Sequence, residues 1–150
     1  MIREAAMSDF DEIYSLLVLM HGESRYRVFD INPEKLKSFA KSMILDSSKI
    51  TLVAEEGDGI AGIFMAVIGE MYFSDCRAAA DRIFYVHPDF RRKGIGSLLA
   101  NKYIQLAKDE GANDIQLSTS TGLPVDAIAK ISESHDMIKV GESYRFNYVR

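Results

Sequence analysis

A run from Asp81 to Glu110 constrains this chain more than any other. Arg82-Ile83-Phe84-Tyr85-Val86 reads as a strand, His87-Pro88-Asp89 as a turn, and Arg91-Arg92-Lys93-Gly94-Ile95-Gly96 leads into a helix-like run from Ser97 to Glu110. A strand, a basic glycine-containing turn and a helix in that order make an anion site. The first N–H groups of a helix have no partner within it and point at whatever lies in front, and the helix dipole adds partial positive charge there. Gly94 and Gly96 carry no Cβ, so a ligand can approach the backbone closely. Arg91, Arg92 and Lys93 add full charges. The expected ligand is a pyrophosphate, held by residues 91 to 97: Arg91, Arg92, Lys93, Gly94, Ile95, Gly96 and Ser97.

Two common pyrophosphate signatures do not fit. No Gly-x-x-x-x-Gly-Lys-Ser/Thr occurs, which excludes a P-loop. A dinucleotide fingerprint needs a third glycine where Leu99 stands, and the strand lies mid-chain rather than opening a βαβ unit. What remains is Arg-x-x-Gly-x-Gly after a strand ending Val-x-Pro, carried by Val86, Pro88, Arg91, Gly94 and Gly96. This pattern resembles the acetyl-CoA motif of the GNAT superfamily of N-acetyltransferases. A six-residue turn of this type also occurs by chance in plain strand–turn–helix units, so the remainder of the chain has to support the resemblance.

A chain of 150 residues, 47% of them hydrophobic, is enough for one domain with a substantial core, here residues 1–150. The net charge of −4 gives no general nucleic-acid or anionic-membrane surface. Cys76 is the single cysteine, so no internal disulfide forms and a reducing cytoplasm is the expected home. Met1-Ile2-Arg3-Glu4 does not read as a signal peptide, and the longest apolar run, Ile60 to Ile68, is too short to cross a bilayer.

In order along the chain, Met1 to Ala6 reads as a strand, and Ser8 as the cap of a helix with Phe10, Ile13, Tyr14, Leu17 and Met20 on one face. Asn32-Pro33 opens a second helix, with a stripe of Leu36, Phe39, Ala40, Met43 and Ile44. Ile50 to Glu55 and Ile60 to Gly69 form a hairpin about Glu56-Gly57-Asp58-Gly59. Glu70 to Arg77 is a connection, Ala78 to His87 the next strand, and Asp114 to Thr119 another. Val125 to Ser134 reads as a helix, and Met137 to Val140 and Ser143 to Val149 as two closing strands. The order β-α-α-β-β-β-α-β-α-β-β is similar to the GNAT fold over nearly the whole chain. In overall character the chain resembles the small single-domain members of bacteria and their phages. The resemblance implies an α/β fold with a mixed, mostly antiparallel sheet of about seven strands flanked by four helices. It also implies a splay between the fourth and fifth strands that holds the cofactor.

The same resemblance implies acetyl transfer from acetyl-CoA to a primary amine of a small molecule or protein. Arg91 to Ser97 would bind the pyrophosphate, and the backbone of Tyr85 and Val86 would align the pantetheine. An alkylammonium with a pKa near ~10.4 must lose a proton before it attacks, so a base is useful. The candidate is Asp81, with Glu23 and Glu70 in reserve. The family more often places this acid one residue later, where Arg82 stands; a bulge would restore Asp81's direction. The alternative is that Asp81 merely pairs with Arg82 or Arg77. His21 to Arg27 is polar and aromatic. It is either a solvated loop or, as the resemblance implies, the border of the acceptor groove, with Glu23, Arg25 and Tyr26 as substrate-binding residues.

Ser132 occupies the position where many members carry a tyrosine acid, and Pro124 or Val125 the place of a cofactor-binding asparagine. These departures motivate an alternative reading, a catalytically reduced GNAT domain that binds CoA or a partner without turnover. His21, His87 and His135 show no metal-ligand spacing, and no metal is expected. Cys76 reads as an ordinary small residue. Tyr144, Phe146 and Tyr148 alternate on one strand face, where core packing or a homodimer contact is the expected use.

Overall fold

The computed structural model describes residues 1–121 and 126–146. Its elements are β1 (Ile2–Glu4), α1 (Phe10–Glu23), α2 (Pro33–Leu45), β2 (Lys49–Glu56), β3 (Gly59–Met71), β4 (Ser74–Val86), α3 (Ile95–Asp109), β5 (Asp114–Gln116) and α4 (Asp126–Ser134). The sheet runs in the order β1-β2-β3-β4-β5. Its first three pairings are antiparallel, and the last, β4 with β5, is parallel.

Local chemistry explains the helix starts. Asn32 Oδ1 accepts the Lys35 N–H at 3.1 Å, and Pro33 takes the first helical position, as the sequence indicates. Ser8 is not the cap of α1. A single 3₁₀ turn, Met7–Asp9, precedes that helix. There the buried Asp9 carboxylate accepts the Ala6 N–H at 2.7 Å and two N–H groups of Arg3 at 2.7 and 2.9 Å. The Arg3 guanidinium outweighs burial and holds the Asp9 carboxyl below the usual carboxylate range.

Alternation in the strands builds two cores. Leu52, Phe64, Ala66 and Ala79 face α3, where Leu99 and Tyr103 are fully buried. Phe64 and Tyr103 stack with centroids 4.5 Å apart. On the other face Val53, Ile63, Met65 and Tyr85 meet Ile13 and Leu17 of α1 and Ala40 and Met43 of α2.

The structure departs from the sequence reading in two places. The ladder of β3 and β4 continues through Glu70↔Arg77 to Met71↔Ser74, so the expected connection there is a tight hairpin with Tyr72 and Phe73 at its tip. Main-chain pairing needs no apolar alternation, which is why composition hid it. The sheet also has five strands rather than about seven. Met137 to Val140 and the described part of the last expected strand, residues 143–146, form no strand. An alternating pattern makes a strand only where a partner edge receives it, and no described segment pairs with the outer edge of β5. Tyr144 and Phe146 are 87% and 90% exposed, so they do not pack into the core; Tyr148 lies outside the described residues.

Gly62 sets how closely α3 approaches the sheet. A Cβ there would lie 3.0 Å from the Tyr85 carbonyl oxygen and 3.2 Å from Leu99 Cδ1, whereas one on Gly22 in α1 would meet nothing within 4 Å. Gly62→Ala is therefore expected to destabilise by about 1–3 kcal/mol through overpacking. Gly22→Ala is expected to stabilise by about 0.4–1 kcal/mol by restricting the unfolded chain. Urea midpoints for the two variants check the opposite signs.

Candidate active site

β4 and β5 pair over Ala78–Ala80 and then part. At the point of parting, Asp81 Oδ1 accepts the Ser118 N–H at 2.9 Å and the Ser118 hydroxyl at 3.0 Å. The carboxylate thus takes the place of the backbone acceptor that a continuing ladder would have supplied. Its position depends on a bulge. Met65 pairs with Ile83 but Ala66 with Asp81, which leaves Arg82 as the extra residue. Strict alternation would put Asp81 with Ile83 and Tyr85, against α1 and α2. The bulge instead puts it on the face of Ala66 and Ala79, towards α3. Burial pushes the Asp81 carboxyl upward, and the two Ser118 bonds offset only part of that rise.

Beyond Asp81 a cavity of about 850 Å³ opens between the parted strands. Its walls are residues 81–86 of β4, the turn into α3, residues 118–121, and Ala127, Ile128, Lys130 and Ile131 of α4. Phe84, Arg82, Lys130 and the segment 118–121 were not singled out from sequence. The only sequence signal for them is adjacency to the motif strand and to β5.

The glycine turn has the expected form. Gly94 is left-handed at φ 81° immediately before α3, a conformation glycine adopts without strain. No side chain caps α3, so its first N–H groups face the cavity mouth, where Arg92, Gly94, Ile95, Gly96 and Ser97 stand. A Cβ on Gly96 would sit 3.4 Å from the Phe84 ring. Lys93 does not line the cavity; its ammonium lies 4.9 Å from the centroid of Phe90.

Arg91 is engaged within the protein. Its Nε donates to the Val86 carbonyl at 2.9 Å, and its two terminal nitrogens donate to Glu23 at 2.6 and 3.3 Å. The Tyr85 hydroxyl donates to the same carboxylate. Burial raises the Glu23 carboxyl, but the Arg91 and Tyr85 bonds prevail and hold it below its ordinary range. Burial first, and Glu23 second, push the Tyr85 phenol well up. A carboxylate so held is a weak base, and Glu23 ties α1 to the anion turn. Tyr85 also differs from expectation. The His87 N–H donates to Ala61 O, so the two-residue period turns the backbone of Tyr85 to β3 and that of Val86 and Phe84 to the cleft.

The stretch from His21 to Arg27 is more than a solvated loop. It ends in a 3₁₀ turn, Arg25–Val28, started by Ser24, whose hydroxyl accepts the Tyr26 N–H at 3.1 Å. The Arg25 N–H donates to Thr121 O at 2.7 Å, its Nε to Ser120 O, and a terminal nitrogen to Tyr26 Oη at 2.9 Å. The connection between α1 and α2 therefore straps the segment that follows β5, at the rim of the cavity. Glu70 does not line the cavity and sits opposite Arg77 in the hairpin.

Ser132 does not line the cavity; its neighbour Ile131 does. The Ser132 carbonyl accepts the Met137 and His135 N–H groups at the end of α4, and His135 Nε2 lies 2.6 Å from Asn101 Oδ1. Pro124 and Val125 lie outside the described residues. Among the described residues no group of three or more His, Cys, Asp or Glu is placed to hold a metal, and no helix is long and apolar enough to cross a membrane.

A mixed sheet parted between β4 and β5, with an uncapped helix at the glycine turn, defines the acetyltransferase class. Residues 10–129 match the family model of the acetyltransferase (GNAT) family, and the chain belongs to that family. Its fold is similar to that of a transcriptional regulator from Bacillus halodurans C-125 (TM-score 0.79, 22% identity, 99% of each chain covered). It is also similar to a ribosomal-protein-alanine N-acetyltransferase from Brucella melitensis biovar Abortus 2308 (TM-score 0.72, 20% identity, 99% of each chain). A third similar structure is AAC(6')-Iy in complex with a bisubstrate analog, CoA-S-monomethyl-acetylneamine (TM-score 0.77, 12% identity, 100% of this chain and 98% of that one).

The Glu23–Arg91 contact makes a pH-dependent prediction. The folded Glu23 carboxyl titrates below its ordinary 4.5, so the contact is intact above that pH and is lost as pH falls through the folded value. Wild type is expected to exceed Glu23→Gln in stability by about 1 kcal/mol at neutral pH. The gap should narrow as pH falls below 4.5 and close once the folded carboxyl is protonated, as read by urea unfolding across the pH range.

Proposed function

We propose that this chain transfers an acetyl group from acetyl-CoA to a primary amine of a small molecule or protein. The observation that carries this reading is the continuity of the cavity. It runs from the uncapped start of α3, along the unpaired edge of β4, to a half-buried carboxylate at the bulge.

Acetyl-CoA would supply the thioester carbonyl that the amine attacks. The chain supplies the rest. The first N–H groups of α3, with Arg92, hold the pyrophosphate; Arg91 shapes the turn by joining Val86 O to Glu23. The cleft-facing backbone of Phe84 and Val86 aligns the pantetheine. Asp81 takes the amine proton, directly or through water, and an N–H of the β4 edge donates to the carbonyl oxygen as charge gathers there. No side chain needs to be acylated. Nor does a phenolic acid need to be present: a thiol with an ordinary pKa near ~8.5 is a tolerable leaving group.

A second reading, a domain that binds CoA without turnover, has one observation in its favour. Ser132 lies outside the cavity, and the described residues of α4 that line it include no hydroxyl group. Thiol release with a panel of amines decides between the two. Bound CoA without release by any amine supports the second.

Acetyl-CoA at about a hundred times its Kd is expected to stabilise the protein by about 2.7 kcal/mol, a rise of roughly 5–10 °C in Tm. In Gly96→Val the branched side chain crowds Phe84 and the cavity mouth, and the shift should vanish while the far-UV spectrum is kept. A full shift in this variant would remove the turn as the phosphate site.

The proton-acceptor role of Asp81 separates from its structural one by two substitutions. Asn retains an oxygen for the Ser118 N–H but takes no proton; Ala loses both. If Asp81 is the base, Asp81→Asn should keep CoA affinity and stability but lose about 10²–10⁴-fold in turnover, while Asp81→Ala should lose stability as well. Near-normal turnover in Asp81→Asn would leave Asp81 as a structural residue alone.

A further inference from the structure

We propose that the acceptor carries a carboxylate beside its amine, an amino acid or a short peptide, and that Arg82 with Arg25 and Lys130 receives that carboxylate. This rests on the transferase reading of the cavity and specifies its acceptor.

The argument is a charge account of the end of the cavity away from the start of α3. Asp81 is the sole acid among the described residues that line it. Its carboxylate already accepts the Ser118 N–H and hydroxyl. Glu23, nearby on α1, is occupied by Arg91 and Tyr85. The cations are differently placed. Arg82, thrust out by the bulge, and Lys130 on α4 both line the cavity, and neither forms a hydrogen bond or ion pair among the described residues. Arg25 uses two of its five N–H donors, both on neutral oxygens, Ser120 O and Tyr26 Oη.

Arg25 does not itself line the cavity but is fastened to Ser120 and Thr121, which do. Asp81 holds Ser118, and Arg25 holds Ser120 and Thr121, so Arg82 and Arg25 flank one four-residue segment. Arg82 is also remote from the pyrophosphate turn. Arg82 precedes Val86 by four residues of strand, roughly 13 Å. The glycine turn therefore leaves Arg82 for another anion; within the protein it acts on Asp81 only through space, without an ion pair. A polycationic acceptor would meet this positive rim and no unengaged carboxylate. A zwitterionic acceptor would place its carboxylate on the rim, where guanidinium groups bind such an anion in bidentate geometry, and its amine towards Asp81.

The test uses matched amines that differ by one carboxylate: lysine and cadaverine, tyrosine and tyramine, phenylalanine and phenethylamine, with spermidine as a polycation. Thiol release gives kcat/KM for each, and calorimetry gives direct binding to the protein with and without CoA. The carboxylate-bearing member of at least one pair is expected to be used and bound about 10-fold or more better than its partner. Arg82→Ala should abolish that preference by raising KM for the carboxylate-bearing member alone, and Arg82→Lys should restore part of it. Equal or better use or binding of the decarboxylated member in every pair overturns the proposal, as does preferred use of spermidine. So does an equal loss for both members in Arg82→Ala, or the absence of calorimetric binding by any carboxylate-bearing amine. If acetyl-CoA itself fails to bind, the transferase reading falls, whereas the carboxylate preference is still decided by calorimetry on the free protein.

Discussion

The site depends on the parting of β4 from β5 after three residue pairs. Two parallel strands that separate leave N–H and C=O groups with no partner, and such groups are costly unless something else satisfies them. At the apex the Asp81 side chain does so, by accepting the Ser118 N–H and hydroxyl. Farther along, no described strand pairs with this edge of β4, which forms a wall of the cavity. The bulge at Arg82 makes this arrangement work. One extra residue moves Asp81 to the α3 face and leaves Arg82 at the rim. A single irregularity in one strand thus sets the position of both the acid and a cation at the same end of the cavity.

Two contacts join the layers across this opening. Glu23, at the end of α1, grips Arg91 of the anion turn, and Arg91 in turn holds the last carbonyl of β4. Arg25, two residues later, fastens the α1–α2 connection to the segment that follows β5. The helix layer opposite α3 is therefore attached to both sides of the cleft. Movement of α1 relative to the sheet would disturb the anion turn and the rim together. This gives a structural basis for coupling between the glycine turn and the opposite end of the cavity. Local charge also departs from the whole. The chain is acidic, at −4 overall, yet among the described residues Arg82, Arg91, Arg92 and Lys130 line the cavity against Asp81 alone.

The sequence by itself determined the elements whose cause is local. Asn32-Pro33 starts α2 because a side-chain acceptor and a fixed φ act within one turn. Gly94 marks the turn because φ 81° there favours a residue without a Cβ. The amphipathic stripes of α1 and α2, the glycine turn after β2, and the succession strand, turn, helix from β4 to α3 follow from periodicity in the same way. Asp81 and the residues from Arg91 to Ser97 could be nominated from the motif because they lie within one short stretch of chain.

The tertiary structure decided what depends on partners far apart in sequence. Whether Arg91 is free for an anion or held by Glu23 is settled 68 residues away, and no spacing within the motif encodes it. The direction of Asp81 rests on a pairing register with β3, and the engagement of Arg25 on a segment 95 residues distant. Ser132 has a place on α4 by counting, but only the packing of that helix turns Ile131 to the cavity instead. The last two expected strands show the same limit from the other side. Residues 137–146 have an alternating pattern, but a strand also needs an edge to receive it, and among the described residues β5 receives none. Local propensity and periodicity are properties of neighbouring residues, whereas register, burial and charge pairing are properties of residues that only folding brings together.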